Sequence, residues 1–133
     1  MAALVPTLTL TGTAADFGAA LAVSETDSIS VGAPIIGVST HSVTTTGANN
    51  IIAASADSTK LVYVKHTGVD AGGSAVTTDL TIETTGDVVF GKLNAGEFAW
   101  IPHYSPLNSG ANGVQLQASS GTIVAEYAVF SHT

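Results

Sequence analysis

The chain has no cysteine and no arginine, and its only lysines are Lys60, Lys65 and Lys92. Lack of cysteine removes disulfides, thiolate metal sites and cysteine nucleophiles together. Lack of arginine removes the planar fork that grips carboxylates and phosphates through two parallel hydrogen bonds. Three scattered lysines against ten acidic residues leave a formal net charge of −7. No basic patch can form from them, so nucleic acid is not expected as a partner, and neither is an anionic membrane surface. Charge of either sign is scarce, at 10 % of residues, where an average soluble domain has roughly 25 %. No apolar run approaches the ~18 residues of a membrane-spanning helix. The opening Met1-Ala2-Ala3-Leu4-Val5-Pro6 lacks a positive region and a long apolar core, so it does not read as a signal peptide.

What the chain has in quantity is strand-forming residues, with 18 threonines, 14 valines and 45 % hydrophobic residues overall. That apolar content is too high for a disordered segment. The 133 residues suit one domain, 1–133, able to bury most of the apolar surface it carries. A β protein with so little charge stays soluble by exposing Thr and Ser, or by covering its surface with neighbours. The composition therefore points to an assembly component.

Alternation with period two predicts the strands. It is visible in Leu8-Thr9-Leu10-Thr11, Ala20 to Val23, Ser28 to Val31, and Ile36 to Thr46. Ile51 to Ala54 is a short candidate. Lys60 to His66 is a strong one, with Leu61, Tyr63 and Lys65 on one face and Val62, Val64 and His66 on the other. Thr78 to Thr84, Val88 to Phe90, Phe98 to Ile101, Val114 to Ala118 and Thr122 to Phe130 complete the set. Turn residues separate them: a flexible Gly68 to Ser74 loop, tight turns at Thr85-Gly86-Asp87 and Asn94-Ala95-Gly96, and a hairpin turn at Ser119-Ser120-Gly121. Pro102 to Asn112, with its prolines and glycines, reads as a long loop. Gly110 and Gly113 exclude a helix over Leu107 to Gln117. Ala14 to Ala22 is ambiguous, since its alanines favour helix and Gly18 opposes it. A soft boundary falls at Ala56-Asp57-Ser58, where the patterning strengthens.

About ten short strands with hairpin-length connections predict an all-β fold, an antiparallel β-sandwich of jelly-roll or immunoglobulin-like type. Met1 to Ala15 is expected to form an extended N-terminal arm that contacts another chain. It is apolar and uncharged to that point, and Pro6 confines it to an edge. Shared parity in the strands predicts one buried inter-sheet layer of Leu61, Tyr63, Leu80, Ile82, Phe98, Trp100, Leu116 and Tyr127.

No catalytic, cofactor-binding or metal-binding residues are assigned. His41, His66, His103 and His132 show no metal-ligand spacing and read as solvent-facing or edge-strand residues. A site would require His66 and His103 to converge. Among the carboxylates Glu25 and Asp27 come closest to a pair. Asp70 in its glycine-rich loop is a single carboxylate where calcium needs several oxygens. No Gly-x-Ser-x-Gly or phosphate-binding glycine fingerprint occurs. Seven of the eight aromatics lie from Tyr63 onward. Trp100 with Tyr104 is a candidate platform for sugar rings, weighed against simple core packing.

The segment from Lys60 to Phe130 resembles small bacteriophage virion structural proteins. Leu61-Val62-Tyr63-Val64-Lys65-His66-Thr67-Gly68 is similar to an opening strand of that group that ends in asparagine or histidine and glycine. Lys92-Leu93-Asn94-Ala95-Gly96-Glu97-Phe98-Ala99-Trp100-Ile101-Pro102 is similar to their leucine, Gly-Glu-Phe, apolar, proline segment. Val124 to Phe130 is similar to their final strand. The resemblance implies a non-enzymatic virion protein assembled in the host cytoplasm without a signal peptide. The expected role is a capsid decoration (cement) protein, a homo-oligomer such as a trimer, bound to the major capsid protein or another virion protein on the outer capsid surface. A tail or fibre subunit shares every feature. A carbohydrate-binding module is the reading from a different class, and an enzyme ranks last.

Overall fold

The computed structural model describes residues 2–46, 49–53, 58–105 and 112–132. Among them are eleven strands and one helical turn. The strands are β1 (Ala2–Leu4), β2 (Thr7–Gly12), β3 (Leu21–Thr26), β4 (Ile29–Thr44), β5 (Asn49–Ile52), β6 (Ser58–His66), β7 (Leu80–Thr84), β8 (Val89–Leu93), β9 (Phe98–Ser105), β10 (Val114–Ala118) and β11 (Thr122–His132). The ambiguous alanine-rich stretch resolves into the single turn α1 (Ala14–Phe17), which Gly18 ends at φ 74°. A positive φ of that kind suits glycine, which has no Cβ to clash.

β4 to β11 form a jelly roll. β4 pairs with β11, β5 with β10, β6 with β9 and β7 with β8, all antiparallel. This is one long folded ribbon whose tip is the β7–β8 hairpin. Successive rungs alternate between a sheet ordered β1-β4-β11-β6-β9 and a sheet ordered β5-β10-β7-β8. Of the two sandwich types expected, the topology is therefore the jelly roll. The tight turns lie where their residues predict. Thr85-Gly86 reverses the chain with Asp87 at φ 61°, and Gly96 and Gly121 take positive φ at the other two.

The core lies between the two sheets. Val43, Val62, Val64, Ile123 and Val129 meet Leu80, Ile82, Val114 and Leu116, all of them essentially sealed from solvent. Each such side chain contributes about 1.5–3 kcal/mol by leaving water. The expected layer is half right. Leu80, Ile82 and Leu116 are in it, and Tyr127 packs against it. Tyr63, Phe98 and Trp100 are not. In β6 and β9 the inward face is Val62, Val64 and His66 opposite Ile101 and Ala99, and the aromatics take the outward face with Leu61. Both faces of these strands are apolar, so alternation defines two faces without saying which one is covered. The inner face took the smaller branched side chains, which fit between sheets packed about 10 Å apart.

Two other expectations change. Pro102, His103, Tyr104 and Ser105 belong to β9 instead of a loop. β9 is a sheet edge, where proline's missing N–H costs little. The Gly68 to Ser74 loop is tied down. Asp70 Oδ1 accepts from the N–H groups of Gly72 (2.8 Å) and Ser74 (2.9 Å), and Val69 bridges Ala75. The expected boundary at Ala56-Asp57 and most of the Pro106 to Asn112 stretch lie outside the described residues, as does Met1.

The arm is a ribbon. β1 pairs with the start of β4 (Ala2 with Val31, Leu4 with Ile29), and β2 pairs with β3 (Thr7 with Thr26, Gly12 with Leu21). Every pair's numbers total 33, so this is one continuous register interrupted at Val5-Pro6 opposite Asp27-Ser28. Across the gap Asp27 N–H donates to the Pro6 carbonyl at 3.1 Å. The ribbon's eleven-residue N-terminal run, Ala2 to Gly12, extends about 36 Å at strand rise.

Candidate functional site

Cross-strand partners share a face, which makes the outer half of the ribbon amphipathic. Leu8 lies opposite Glu25, Leu10 opposite Val23, and Gly12 opposite Leu21. The other face is Thr7, Thr9 and Thr11 against Thr26, Ser24 and Ala22, with the Thr7 and Thr26 hydroxyls 3.1 Å apart. The apolar stripe is incompletely covered. Leu8 is 49 % and Leu10 44 % exposed.

The ribbon and the outward face of the five-stranded sheet border a common open groove of about 780 Å³, lined by Leu4 to Thr9 on one side and Tyr63, Phe98 and Trp100 on the other. Among the described residues, none that lines it is charged. A second groove of about 520 Å³ continues beyond Leu8 and Trp100 toward Glu25 and Asp27. The floor is an aromatic group. Tyr63 and Phe98 rings lie 6.4 Å apart, and Trp100 lies 6.1 Å from Phe130. Phe98 is 64 % exposed. Tyr63 Oη donates to Glu126 at 2.9 Å. Burial, that hydrogen bond and the negative charge of Glu126 together hold the phenol above its ordinary pKa. Phe98, Trp100 and Tyr104 recur at every second or fourth residue of β9, so they share the outward face.

The histidines do not converge. His66 is fully buried between the sheets, against the expectation of a solvent-facing or edge residue. Its Nδ1 accepts from Gly68 N–H at 3.0 Å, so Nε2 carries the proton and donates to the Thr78 carbonyl at 2.7 Å. The ring pins the loop that follows β6 and has no coordination left to offer. His103 Nε2 lies 2.8 Å from the Asn112 carbonyl. His41 stands edge-on to Tyr127. The His132 side chain is outside the described set. Glu25 and Asp27, the expected closest pair, both line the second groove, and the Asp27 carboxylate accepts from Ser28 N–H at 2.7 Å.

One carboxylate pair escaped the sequence reading. Gln115 Nε2 donates to Glu83 (3.3 Å) and to Asp87 (2.8 Å), while Thr81 donates to Glu83 at 2.6 Å. Glu83 is only 3 % exposed and is satisfied by these donors. The turn at Thr85-Gly86 folds Asp87 back over Glu83, and that turn was the available signal. Among the described residues no group of three or more His, Cys, Asp or Glu could hold a metal. The arrangement with unspent capacity is the ribbon and its groove, and what it can do is bind. Compared with protein-family models, curated proteins and solved structures, the chain matches none.

Proposed function

We propose that this chain is a non-enzymatic structural subunit of a virus particle, a decoration protein held on the outer surface of a capsid. The observation that carries the reading is the N-terminal ribbon, whose Leu8 and Leu10 the chain leaves nearly half exposed. An exposed apolar surface of this kind marks an interaction site. The jelly-roll topology supports the reading only by analogy, since the same architecture serves viral capsid proteins, lectins and cupins. The lack of arginine and the charge of −7 favour an outer location, away from packaged nucleic acid. The action is mechanical: copies bridge junctions between shell subunits and add buried area there. A tail or fibre subunit would act through the same ribbon.

Few charges are available for ion pairing, so attachment should survive screening. Purified protein bound to particles should stay with the pellet at about 0.5 M salt, where screening is nearly complete, and leave with denaturant or heat. Quantitative release by salt alone would contradict the proposal. A second reading, a carbohydrate-binding module, draws on the outward placement of Phe98, Trp100 and Tyr104. Glycan binding abolished by Trp100→Ala, with no particle binding, would select it.

A further inference from the structure

Of the chain's five asparagines, Asn112 is the one followed by glycine. Glycine has no Cβ to screen its backbone nitrogen, so the Gly113 nitrogen can approach the side-chain carbonyl carbon of Asn112, Cγ. The fold holds both polar groups of the peptide unit that joins them. Its carbonyl, on Asn112, accepts from His103 Nε2 at 2.8 Å, and its N–H, on Gly113, donates to Thr85 Oγ1 at 3.1 Å. Thr85 N–H in turn donates to the Gly113 carbonyl at 3.1 Å. Asn112 is partly exposed and Gly113 is buried. His103 comes from the edge strand β9 and Thr85 from the turn after β7, so the clamp exists only when tertiary structure does. Directly beyond it Val114 opens β10, sealed from solvent and in register with Thr84 and Ile52.

We propose that Asn112-Gly113 is a self-modification site, closed by Thr85 and His103 while the fold holds and active once the start of β10 loosens. The Gly113 nitrogen is the nucleophile. It gives its proton to a solvent base and bonds to Asn112 Cγ, the Cγ–Nδ2 bond breaks, and Nδ2 leaves as ammonia. Water then opens the cyclic imide at either carbonyl, giving aspartate or isoaspartate. The sum is water consumed and ammonia released, with no change of oxidation state. The folded chain opposes the first step in two ways. The Gly113 N–H is already donated to Thr85 in a buried position, and turning the peptide unit toward Cγ also breaks the His103 bond. The products do not fit back. Each adds a negative charge to a chain already at −7, and isoaspartate adds a backbone methylene just ahead of Val114, shifting it against Thr84 and Ile52. The reaction therefore marks, irreversibly, chains whose β10 has opened. The inference is independent of the particle the chain joins.

Timed incubation of the full-length chain in mildly alkaline buffer tests it. Cleavage after Lys92 releases residues 93–133 for tandem mass spectrometry, which assigns each conversion to its asparagine, with Asn94 as an internal control. In denaturant Asn112 should convert fastest, and in the folded wild type it should be protected. Thr85→Val removes the acceptor of the Gly113 N–H. It should speed conversion of the folded chain about fivefold, the equivalent of ~1 kcal/mol for one hydrogen bond, and leave the rate in denaturant unchanged. Thr85→Ser keeps a hydroxyl and should restore protection. If Thr85→Val fails to fold, hydrogen exchange on the wild type gives a second readout. In sub-denaturing urea, exchange of the Gly113 amide and conversion of Asn112 should rise together. Conversion as fast in the folded chain as in denaturant, a folded Thr85→Val that converts no faster than wild type, conversion that stays flat while Gly113 exchange rises, or reaction at Asn94 ahead of Asn112 would each overturn the inference.

Discussion

On β6, Val62, Val64 and His66 face the second sheet and are sealed from solvent, whereas Tyr63 and Lys65, between them in sequence, face outward and are only partly buried. β9 repeats the division, with Ala99 and Ile101 packed inward and Phe98 and Trp100 outward. The same two strands therefore present a dense aliphatic face to the core and an aromatic face to a groove. The inner face does the work of stability. The outer face, carrying the larger rings, lines the open groove.

The comparison can be broken most sharply at His66. Replacing it with Ala opens a cavity and strands two backbone groups, Gly68 N–H and the Thr78 carbonyl, each worth about 1–3 kcal/mol when buried without a partner. His66→Ala should be the most destabilising change considered, read as a drop in denaturant midpoint. Val64→Ala should follow at about 2–3 kcal/mol, from two lost methyl groups and the space they leave. On the outer face Phe98→Ala should fall within about ±0.5 kcal/mol under conditions where the chain is monomeric, as exposed positions do. A large loss there would place Phe98 in the core after all.

The smallest effects lie in pH. Tyr63 is held above its ordinary value near 10, so the folded state favours the protonated phenol. Its contribution is complete below the unfolded value and is lost as pH rises through the higher folded one. Melting temperatures above about pH 10 should fall more steeply for the wild type than for Tyr63→Phe. Glu97 shifts the other way. Its carboxylate accepts from Asn94 N–H at 2.7 Å and from the Asn94 side chain at 3.1 Å, which lowers its pKa. That contribution is present above the unfolded value and is lost as pH falls through the lower folded one. Glu97→Gln should flatten the acid limb of the stability profile, and an unchanged limb would remove Glu97 from the account.

How legible all this was depends on the range of each interaction. Strand positions followed from local alternation in Val114 to Ala118 and Lys60 to His66, and turns followed from Gly96 and Gly121, because those choices are made within a few residues. The amphipathic stripe of Leu8 and Leu10 was also visible. Its pairing with β3 was not, since the register joining Leu10 to Val23 depends on the turn at α1, which the alanines of that stretch obscured. The candidate site stayed hidden for a related reason. Its wall and its floor come from opposite ends of the sequence, Leu4 to Thr9 against Phe98 and Trp100.

By itself, then, the sequence determined an all-β chain, its turns, an uncharged N-terminal arm and the want of any arginine or thiol. These depend on composition and on neighbours along the chain. Only the tertiary structure decided which face of β6 and β9 is core, that His66 is buried, and that Glu83 and Asp87 share one amide. Leu61-Val62-Tyr63-Val64 and Phe98-Ala99-Trp100-Ile101 are apolar at every position, so both faces could have been buried. The choice was made by the second sheet, whose Leu80, Ile82 and Leu116 close over the slimmer side chains and leave the aromatics to the ribbon.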